Sequence, residues 1–409
     1  MRTRKILLVV LDGAGDRTVK ALDNRTPLQA SRHPNLDRIA SEGTCGIMDT
    51  IAPGVRPGSD TAHLSLLGYD PFEYYTGRGP FEAAGVGILG KKGDVAFRCN
   101  FASVDDDMNV VDRRAGRIKE PDTTELVSGL QGMVIDGVDI TVKEATEHRA
   151  VLMLSGEGLS SSVTDVDPHE LGAIHQCRPR EEGAELTAKI VNEFVRRSHE
   201  IMDDHPVNLR RKEEGKPVAN ILLPRGPGVF PDIESFDARY GMSSVCISGV
   251  SLIRGIGGVL GMKVVEDPSF TGGLDSDIDL KAKMALRMLE DHDFVLMNVK
   301  MTDIASHDCD YRSKVEVIER VDSTMGLLID GLGTDTVLAV TADHCTPVAV
   351  GDHSGDPVPL MIHSPDIVRD AIETYDEASC AQGGLGRIRG LDLMPILLDC
   401  ANRSEKFGA

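Results

Sequence analysis

The chain has 409 residues, with 41% hydrophobic side chains, 27% charged side chains and a formal net charge of −21. At roughly one domain per 150 residues, this length predicts two or three domains, and the apolar fraction is sufficient for sizeable cores. The acidic balance argues against nucleic acid or an anionic membrane as a partner, because both are themselves negatively charged. An anionic substrate would need a local basic pocket.

The eight cysteines are scattered without a CxxC pair, which is typical neither of a zinc ribbon nor of a disulfide framework. They indicate a reducing compartment, so we expect a cytoplasmic protein. The apolar run Ile6–Leu11 is too short for the hydrophobic region of a signal peptide, and Asp12 interrupts it. Since no stretch approaches the length of a membrane span, we expect no membrane partner.

Continuous aliphatic runs bounded by charged or turn residues predict strands that are buried on both faces, as in a parallel sheet. In chain order these runs are Ile6–Leu11, Phe294–Val299, Val337–Thr341 and Val358–Ile362. Apolar periodicity predicts the helices Asp279–Glu290, Lys314–Leu328 and Leu391–Ala401. Together they predict an α/β fold, with a largely parallel sheet flanked by helices.

The middle of the chain differs, with shorter strands, more glycine and charge, and one long predicted helix, Glu181–Met202. Strands of the first kind lie on both sides of it in the sequence. We therefore predict a smaller α/β domain at residues 106–240, inserted into a core domain formed by residues 1–105 and 241–409. The segment Leu209–Lys216 is interpreted as a solvated turn and not as a basic binding patch.

Carboxylates and imidazoles follow three of the predicted strands. In chain order they are Asp12 after the first, Asp303 and His307 after the second, Asp343 and His344 after the third, and His353 in the next loop. Because the carboxyl ends of parallel strands meet at one edge of an open sheet, we expect these side chains to converge. A mixed Asp/His set suits Mn²⁺ or Zn²⁺, and it is too large for one tetrahedral ion. The set indicates a two-metal site.

The stretch PGSDTAHLSLLGYDP, residues 57–71, leaves two interpretations of Ser59 open. It could be the N-cap of a helix, which would be a sufficient role by itself. Alternatively, it could be a nucleophile at a helix N-terminus, where backbone N–H groups favour a phosphoryl oxygen. No GxSxG elbow surrounds it, which argues against an α/β-hydrolase.

Six ordered motifs resemble those of the archaeal-type, cofactor-independent phosphoglycerate mutases of the alkaline phosphatase superfamily. They are VVLDGAGD, PGSDTAHLSLLGYDP, GRGPFEAAG, KMTDIASHDCDY, TADHCTP and GDHSGDPVP. The resemblance runs nearly end to end and includes the late segment GGLGRIRGLDLMPILL. It implies an alkaline-phosphatase-like core and the glycolytic and gluconeogenic interconversion of 3-phosphoglycerate and 2-phosphoglycerate. That reaction would use a phosphoserine intermediate and no 2,3-bisphosphoglycerate.

The resemblance also implies the site. Two divalent ions are expected, Mn²⁺ first, with Zn²⁺, Co²⁺ and Mg²⁺ as alternatives. One would be held by Asp12, Ser59, Asp343 and His344, and the other by Asp303, His307 and His353. Ser59 would be the phosphorylated nucleophile, and Lys300 would lie near the phosphoryl group.

Substrate contacts are implied in the middle of the chain. The candidates are Arg78, Arg113, Arg117, His148 and Arg149, with Arg225 added because it follows a strand-like run. Asp112 is a candidate acid–base group for the substrate hydroxyls. The alternatives remain open that RRAGR is only a charged turn and that Arg225 lies in a rigid loop.

The expected partner is a small phosphorylated hydroxy acid, and a homo-oligomer is compatible with the sequence. Three other functions remain open. The same core could serve a metal-dependent phosphomonoester or phosphonate hydrolase, or a phosphotransferase acting on another small molecule. A metal-stabilised binding protein without turnover is the third, although an intact Ser59 argues against it.

Overall fold

The computed structural model describes residues 3–408 and divides into two compact units, residues 3–74 with 234–408 and residues 75–233. The predicted boundaries at 105/106 and 240/241 therefore need correction. Residues 95–104 form a strand that pairs on both sides with strands of the second unit. Phe236 belongs to the first unit because its ring packs on Phe294, with centroids 4.6 Å apart.

The strands are numbered along the chain. They are β1 (Lys5–Leu11), β2 (Thr44–Asp49), β3 (Val95–Val104), β4 (Asn109–Asp112), β5 (Val134–Ile135), β6 (Val138–Glu144), β7 (Arg149–Ser155), β8 (Gly172–Ala173), β9 (Ile221–Val229), β10 (Ser244–Ile247), β11 (Lys263–Val265), β12 (Phe294–Val299), β13 (Thr336–Thr341), β14 (Val358–His363) and β15 (Gly386–Arg389).

The helices are numbered in the same way, and one 3₁₀ turn covers Lys20–Leu22. They are α1 (Pro27–Ala30), α2 (Pro34–Ser41), α3 (Ser59–Leu66), α4 (Pro71–Tyr74), α5 (Gly79–Gly85), α6 (Asp122–Ser128), α7 (Glu185–Asp203), α8 (Pro206–Glu213), α9 (Phe236–Tyr240), α10 (Ser251–Val259), α11 (Ile278–Asp291), α12 (Met301–His307), α13 (Tyr311–Gly331), α14 (Glu377–Cys380) and α15 (Gly390–Cys400). Within residues 3–408, none of these helices has both the length and the apolarity needed to cross a bilayer.

The first unit is built on a sheet with the strand order β11-β10-β12-β1-β13-β14-β2-β15. Neighbouring strands are parallel except where β14 pairs with β13 and β2. The prediction of an α/β fold with a largely parallel sheet is confirmed. Residues 6–11 of β1 are at most 1% exposed, which is why that strand is aliphatic throughout. Because β12, β1 and β13 are adjacent and parallel, their carboxyl ends lie side by side.

The second unit has an antiparallel sheet in the order β5-β6-β7-β3-β4-β8, with β9 also paired to β3. Helix α7 covers it with a stripe of buried apolar side chains that includes Ile190 and Phe194. These side chains share one core with Phe97 and Phe101 of β3. At about 1.5–3 kcal/mol for each fully buried large apolar side chain, this core is the main stabilisation of the unit.

Two predicted elements in the second unit differ from the structure. The long helix starts at Glu185 and not at residue 181, because Gly183 has a φ of +90°, outside the helical range. The turn predicted at Leu209–Lys216 is wrong. Pro206 starts helix α8 there, and Arg211 is buried on it, with Nη1 2.8 Å from Asp122 Oδ2.

A buried lysine joins two loops at the carboxyl edge of the first sheet. Lys314 of α13 is fully buried, and its ammonium group donates to the carbonyl oxygens of Gly13, Gly15 and Thr346 at 3.0–3.2 Å. It also pairs with Asp16 Oδ2 at 2.8 Å. Since all its donors have acceptors, the ammonium ties the loop after β1 to the loop after β13.

Glu377 makes the stability of the first unit depend on pH. Its carboxylate accepts the backbone N–H of Asp16 at 3.0 Å and the hydroxyl of Thr26 at 2.7 Å. Burial raises the pKa of Glu377 to about 7. A raised carboxyl pKa means that the protonated form favours the fold, so its contribution is complete below about pH 4.5 and is lost as the pH rises through 7.

We therefore expect Glu377→Gln to gain stability relative to the wild type between pH 5 and pH 8, by up to about 3 kcal/mol. The measurement is the free energy of unfolding in urea at both pH values. An exposed carboxylate variant, Glu373→Gln, serves as the control and should show no such dependence. Equal pH dependence in wild type and Glu377→Gln would contradict the prediction.

Candidate functional site

Three neighbouring strands of the first unit bring carboxylates to one place. Asp12 directly follows β1, Asp343 follows β13 by one residue, and Asp303 lies in the first turn of helix α12, just after β12. All three residues are at most 1% exposed. The predicted convergence at the carboxyl ends of the strands is therefore observed.

Lys300 and His344 hold this cluster together. The ammonium nitrogen of Lys300 lies 2.9 Å from Asp12 Oδ1 and 2.6 Å from Asp303 Oδ2. His344 Nε2 lies 3.2 Å from Asp343 Oδ2 and 3.6 Å from Asp12 Oδ1. The Lys300 ammonium thus faces Asp12 and Asp303, and the His344 imidazole faces Asp343 and Asp12.

The other two predicted ligands lie around Asp303. His307 Nε2 is 3.3 Å from Asp303 Oδ2, and His353 Nε2 is 3.8 Å from Asp303 Oδ1. The Nδ1 atoms of both rings contact backbone carbonyl oxygens, of Gly351 and Pro57, each at 2.8 Å. Because a carbonyl only accepts, both Nδ1 atoms carry hydrogen, and both Nε2 atoms are left as ligand atoms that face the cluster.

The donor set fits two divalent cations. Two groups of residues each have ligand atoms that all lie within 4.8 Å of one another. One group is Asp12, Asp343 and His344, and the other is Asp303, His344 and His353. His344 belongs to both groups, whereas the sequence-based division assigned it to the first alone. His307 joins the second group through its contact with Asp303.

Charge supports the same conclusion. In this cluster three buried carboxylates, those of Asp12, Asp303 and Asp343, face the ammonium of Lys300, so negative charge is left over when the imidazoles are neutral. Asp343 Oδ2 has no hydrogen-bond partner among the described residues. Buried charge of this kind is costly unless a cation compensates it. Oxygen and imidazole nitrogen are ligands suited to Mn²⁺ or Zn²⁺.

The pKa directions report the same negative field. Burial and the neighbouring Asp343 raise the pKa of Asp12. Against the cost of burial, the hydrogen bond from His307 and the charge of Lys300 lower the pKa of Asp303. The hydrogen bond to Asp303 raises the pKa of His307 to about 9. The negative field of the cluster therefore favours positive charge, whether a proton or a metal ion.

Ser59 is not the N-cap that one interpretation assigned. Gly58 is the cap, its backbone N–H donates to Thr61 Oγ1 at 3.1 Å, and the Thr61 N–H donates to Asp60 Oδ1 at 3.0 Å, so these hydrogen bonds at the helix end do not use the Ser59 hydroxyl. Ser59 is the first residue of helix α3, and its Oγ lies 3.1 Å from His344 Nε2. The tertiary structure therefore places this hydroxyl against the carboxylate and imidazole cluster.

The structure adds contacts that no sequence pattern indicated. Thr346 Oγ1 lies 2.9 Å from His344 Nδ1 and donates to Asp303 Oδ1 at 2.8 Å. His63 and Asn298, both fully buried, lie against Asp343 and Asp12. The signal for Thr346 was its place in TADHCTP, but a threonine there has no metal-site signature of its own.

In the second unit, most of the predicted substrate residues line one cavity of about 380 Å³. The lining consists of Asn100, Arg113, Arg114, Arg117, Glu147, His148, Arg149 and Arg225. Five of the six predicted contacts are thus brought together, and Asn100, Arg114 and Glu147 were not predicted. Although the chain as a whole is acidic, this cavity is basic, as an anionic ligand requires.

Unpartnered polar atoms make the lining of this cavity suited to a polar ligand. Among the described residues, four buried atoms without a hydrogen-bond partner come from its lining: Asn100 Oδ1, Arg113 Nε, His148 Nδ1 and Arg225 Nε. Buried polar atoms are rarely left unsatisfied in folded proteins. A polar anion would satisfy the arginines bidentately.

Asp167 fixes two of these arginines from behind. It is 1% exposed, both of its oxygens lie 3.1 Å from Arg113 Nη2, and Oδ2 lies 3.7 Å from Arg225 Nε. It also accepts the side-chain amide of Asn100 at 3.0 Å. The carboxylate therefore orients the guanidinium planes, and no pattern in DVDPH had marked it for this role.

Two predicted residues lie outside the cavity lining. Arg78 donates from Nε to Glu82 Oε1 at 2.9 Å, within the same helical segment. Asp112 accepts the backbone N–H groups of Arg114 and Gly116 at 2.8 and 2.7 Å, which makes it a turn residue. Since its carboxylate oxygens are used by this turn, the structure does not bring Asp112 to the cavity as an acid–base group.

Comparison with known proteins points to one family. The family model for 2,3-bisphosphoglycerate-independent phosphoglycerate mutase matches residues 40–208. The mutase of Methanopyrus kandleri is 53% identical over 415 aligned positions, covering 99% of this chain and 98% of the relative. The mutase of Methanoculleus marisnigri is 50% identical, with complete coverage of both chains.

Solved structures agree. A protein from Pyrococcus horikoshii, 38% identical, superposes over the whole of both chains with a TM-score of 0.87. The cofactor-independent phosphoglycerate mutase of Thermoplasma acidophilum, also 38% identical, has a TM-score of 0.76 over 97% of this chain and 100% of its own.

Proposed function

Because the chain belongs to the 2,3-bisphosphoglycerate-independent phosphoglycerate mutases, we propose that it interconverts 3-phosphoglycerate and 2-phosphoglycerate by passing the phosphoryl group through Ser59. The observation that carries the route is the Ser59 hydroxyl, 3.1 Å from His344 Nε2 inside the carboxylate cluster. Because Gly58 is the N-cap, helix capping does not account for the position of this hydroxyl.

Two divalent cations, with Mn²⁺ as the preferred metal, would be held by the carboxylates and imidazoles of the cluster. The residues are Asp12, Asp343, His344 and Ser59 for one ion, and Asp303, His307 and His353 for the other. When bound, such cations polarise phosphoryl oxygens and lower the pKa of a serine hydroxyl.

The chain's own groups account for the transfer. Ser59 Oγ attacks phosphorus, the bond from phosphorus to the glycerate oxygen breaks, and that oxygen takes up the proton released by the serine. The ammonium of Lys300, 2.9 Å from Asp12 and 2.6 Å from Asp303, counters charge on the transferring group. Attack by the other glycerate hydroxyl on phosphoserine reverses these steps and frees Ser59.

The arginine cavity of the second unit would bind the glycerate carboxylate. Arg113 and Arg225 have unpartnered Nε atoms, and Asp167 holds both guanidinium groups in place. Burial lowers the pKa of Arg225, partly offset by Asp167. An anionic ligand therefore relieves a crowded positive cluster. The eight free cysteines support a cytoplasmic site of action.

Phosphorus NMR tests the proposal. The Mn²⁺-loaded enzyme is given 3-phosphoglycerate with no bisphosphoglycerate, and we expect the 2-phosphoglycerate signal to appear without inorganic phosphate. Inorganic phosphate as the sole product would overturn the mutase assignment and establish a phosphomonoester hydrolase on the same core.

Arg113→Ala tests the cavity. Loss of one bidentate charge contact should lower kcat/KM for the mutase reaction roughly 100-fold or more. The matched control is Arg196→Ala, an exposed arginine of the same unit that pairs with Glu193 outside the cavity. Equal activity of the two variants would exclude Arg113 from substrate binding, and increased phosphate release by Arg113→Ala would show that the cavity retains glycerate.

A further inference from the structure

Two fully buried polar side chains of the first unit, His63 and Asn298, join the serine's helix to one of the carboxylates. His63 lies one turn after Ser59 on helix α3, and its Nδ1 is 2.8 Å from the Ser59 carbonyl oxygen. Asn298, near the end of strand β12, donates from Nδ2 to Asp12 Oδ2 at 3.1 Å. The two side chains meet, with His63 Nε2 3.5 Å from Asn298 Nδ2.

The partners determine where the hydrogens lie. A carbonyl oxygen only accepts, so His63 Nδ1 carries the hydrogen and Nε2 is the acceptor. Asn298 Oδ1 contacts the hydroxyl of Ser248 at 3.2 Å, which leaves both amide hydrogens for Asp12 and for His63. The network from Asp12 through Asn298 and His63 to the Ser59 carbonyl therefore has one consistent donor and acceptor assignment.

The network also reaches the second carboxylate. His63 Nδ1 lies 3.6 Å from Asp343 Oδ2, the oxygen without a hydrogen-bond partner among the described residues. His63 is thus in contact with the turn that carries the serine and with a carboxylate that faces His344. None of these atoms is exposed to solvent, because both side chains are completely buried.

We propose that His63 and Asn298 are positioning residues that hold Ser59, Asp12 and Asp343 in register for one of the two metal ions. The proposal rests on the proposed roles of those three residues. Outer hydrogen bonds of this kind orient ligands, and their loss typically costs 10- to 100-fold in metal affinity or activity. The second ion, around Asp303, His307 and His353, has its own outer contacts and is not expected to depend on His63.

Calorimetric titration of Mn²⁺ into metal-free protein tests the proposal without relying on activity. We expect His63→Leu and Asn298→Leu each to weaken one of the two Mn²⁺ sites by about 10- to 100-fold and to leave the other within twofold. His63→Asn, whose amide can replace the Nδ1 donor, should recover much of the lost affinity. The double variant should be no weaker than the single ones, because both act through one network.

Ser65→Ala is the matched control, since Ser65 is buried on the same helix and its hydroxyl has no described partner. In His63→Leu and Asn298→Leu, kcat should fall about 10- to 100-fold, and KM should stay within twofold of the wild-type value. Wild-type affinity for both ions in His63→Leu and Asn298→Leu overturns the positioning role. So does equal affinity in His63→Asn and His63→Leu. If His63→Leu does not fold, Asn298→Leu and His63→Asn decide by the same measurements. An active Ser59→Ala enzyme would instead contradict the proposed function.

Discussion

Ser59→Ala is expected to abolish turnover while the protein remains folded. Loss of a nucleophile lowers kcat by about four orders of magnitude or more, because no other group can form the covalent intermediate. The helix itself should survive, since the hydrogen bonds of Gly58 and Thr61 at its N-terminus do not use the serine hydroxyl. The measurements are the rate of 2-phosphoglycerate formation and the thermal midpoint of unfolding.

Ser65→Ala provides the comparison within helix α3, because it removes a buried hydroxyl that has no described partner. It should keep nearly full activity. Ser59→Ala should still bind Mn²⁺ through Asp303, His307 and His353. Phosphoserine should form on wild-type protein quenched during turnover and be absent from Ser59→Ala. A Ser59→Ala enzyme with even one tenth of wild-type activity would rule out the nucleophile.

Removal of divalent metal is expected to eliminate activity and to destabilise the first unit. Without the metal, compensation of the three buried carboxylates depends on the Lys300 ammonium and on protons taken up by imidazoles such as His307. A cation at 1,000 times its Kd contributes about 4 kcal/mol to the folded state. For a unit of this size the thermal midpoint should fall by roughly 10 °C or more.

The measurement is thermal unfolding and mutase activity after dialysis against a chelator, followed by addition of Mn²⁺, Zn²⁺, Co²⁺ or Mg²⁺ in separate samples. Mn²⁺ should restore both properties. Asp343→Asn should show a smaller fall in the midpoint on chelation, because one of the three charges is absent. Full activity and an unchanged midpoint after complete removal of metal would contradict the two-metal site.

The strands were predictable because their signal is local. Each central strand is a run of aliphatic residues bounded by charge, and Phe294–Val299 was predicted with the bounds that the structure has. The metal ligands were predictable for a related reason, since they follow those strands directly and parallel strands place their ends together. The domain boundary was not predictable from local sequence, because strand β3 pairs with β7 and β9, which lie far along the chain.

Local chemistry by itself left Ser59 undecided between a cap and a nucleophile, and it marked Asp112 for acid–base work. The choice depended on partners that are distant in sequence: His344 lies against Ser59 Oγ, whereas backbone N–H groups of a turn occupy Asp112. The roles of His63 and Asn298 became visible in the same way. The sequence alone therefore determined the family, the sheet and which residue types carry the chemistry, because these depend on local order. Only the tertiary structure decided which side chains meet, because hydrogen bonds and charge pairs depend on distances between remote parts of the chain.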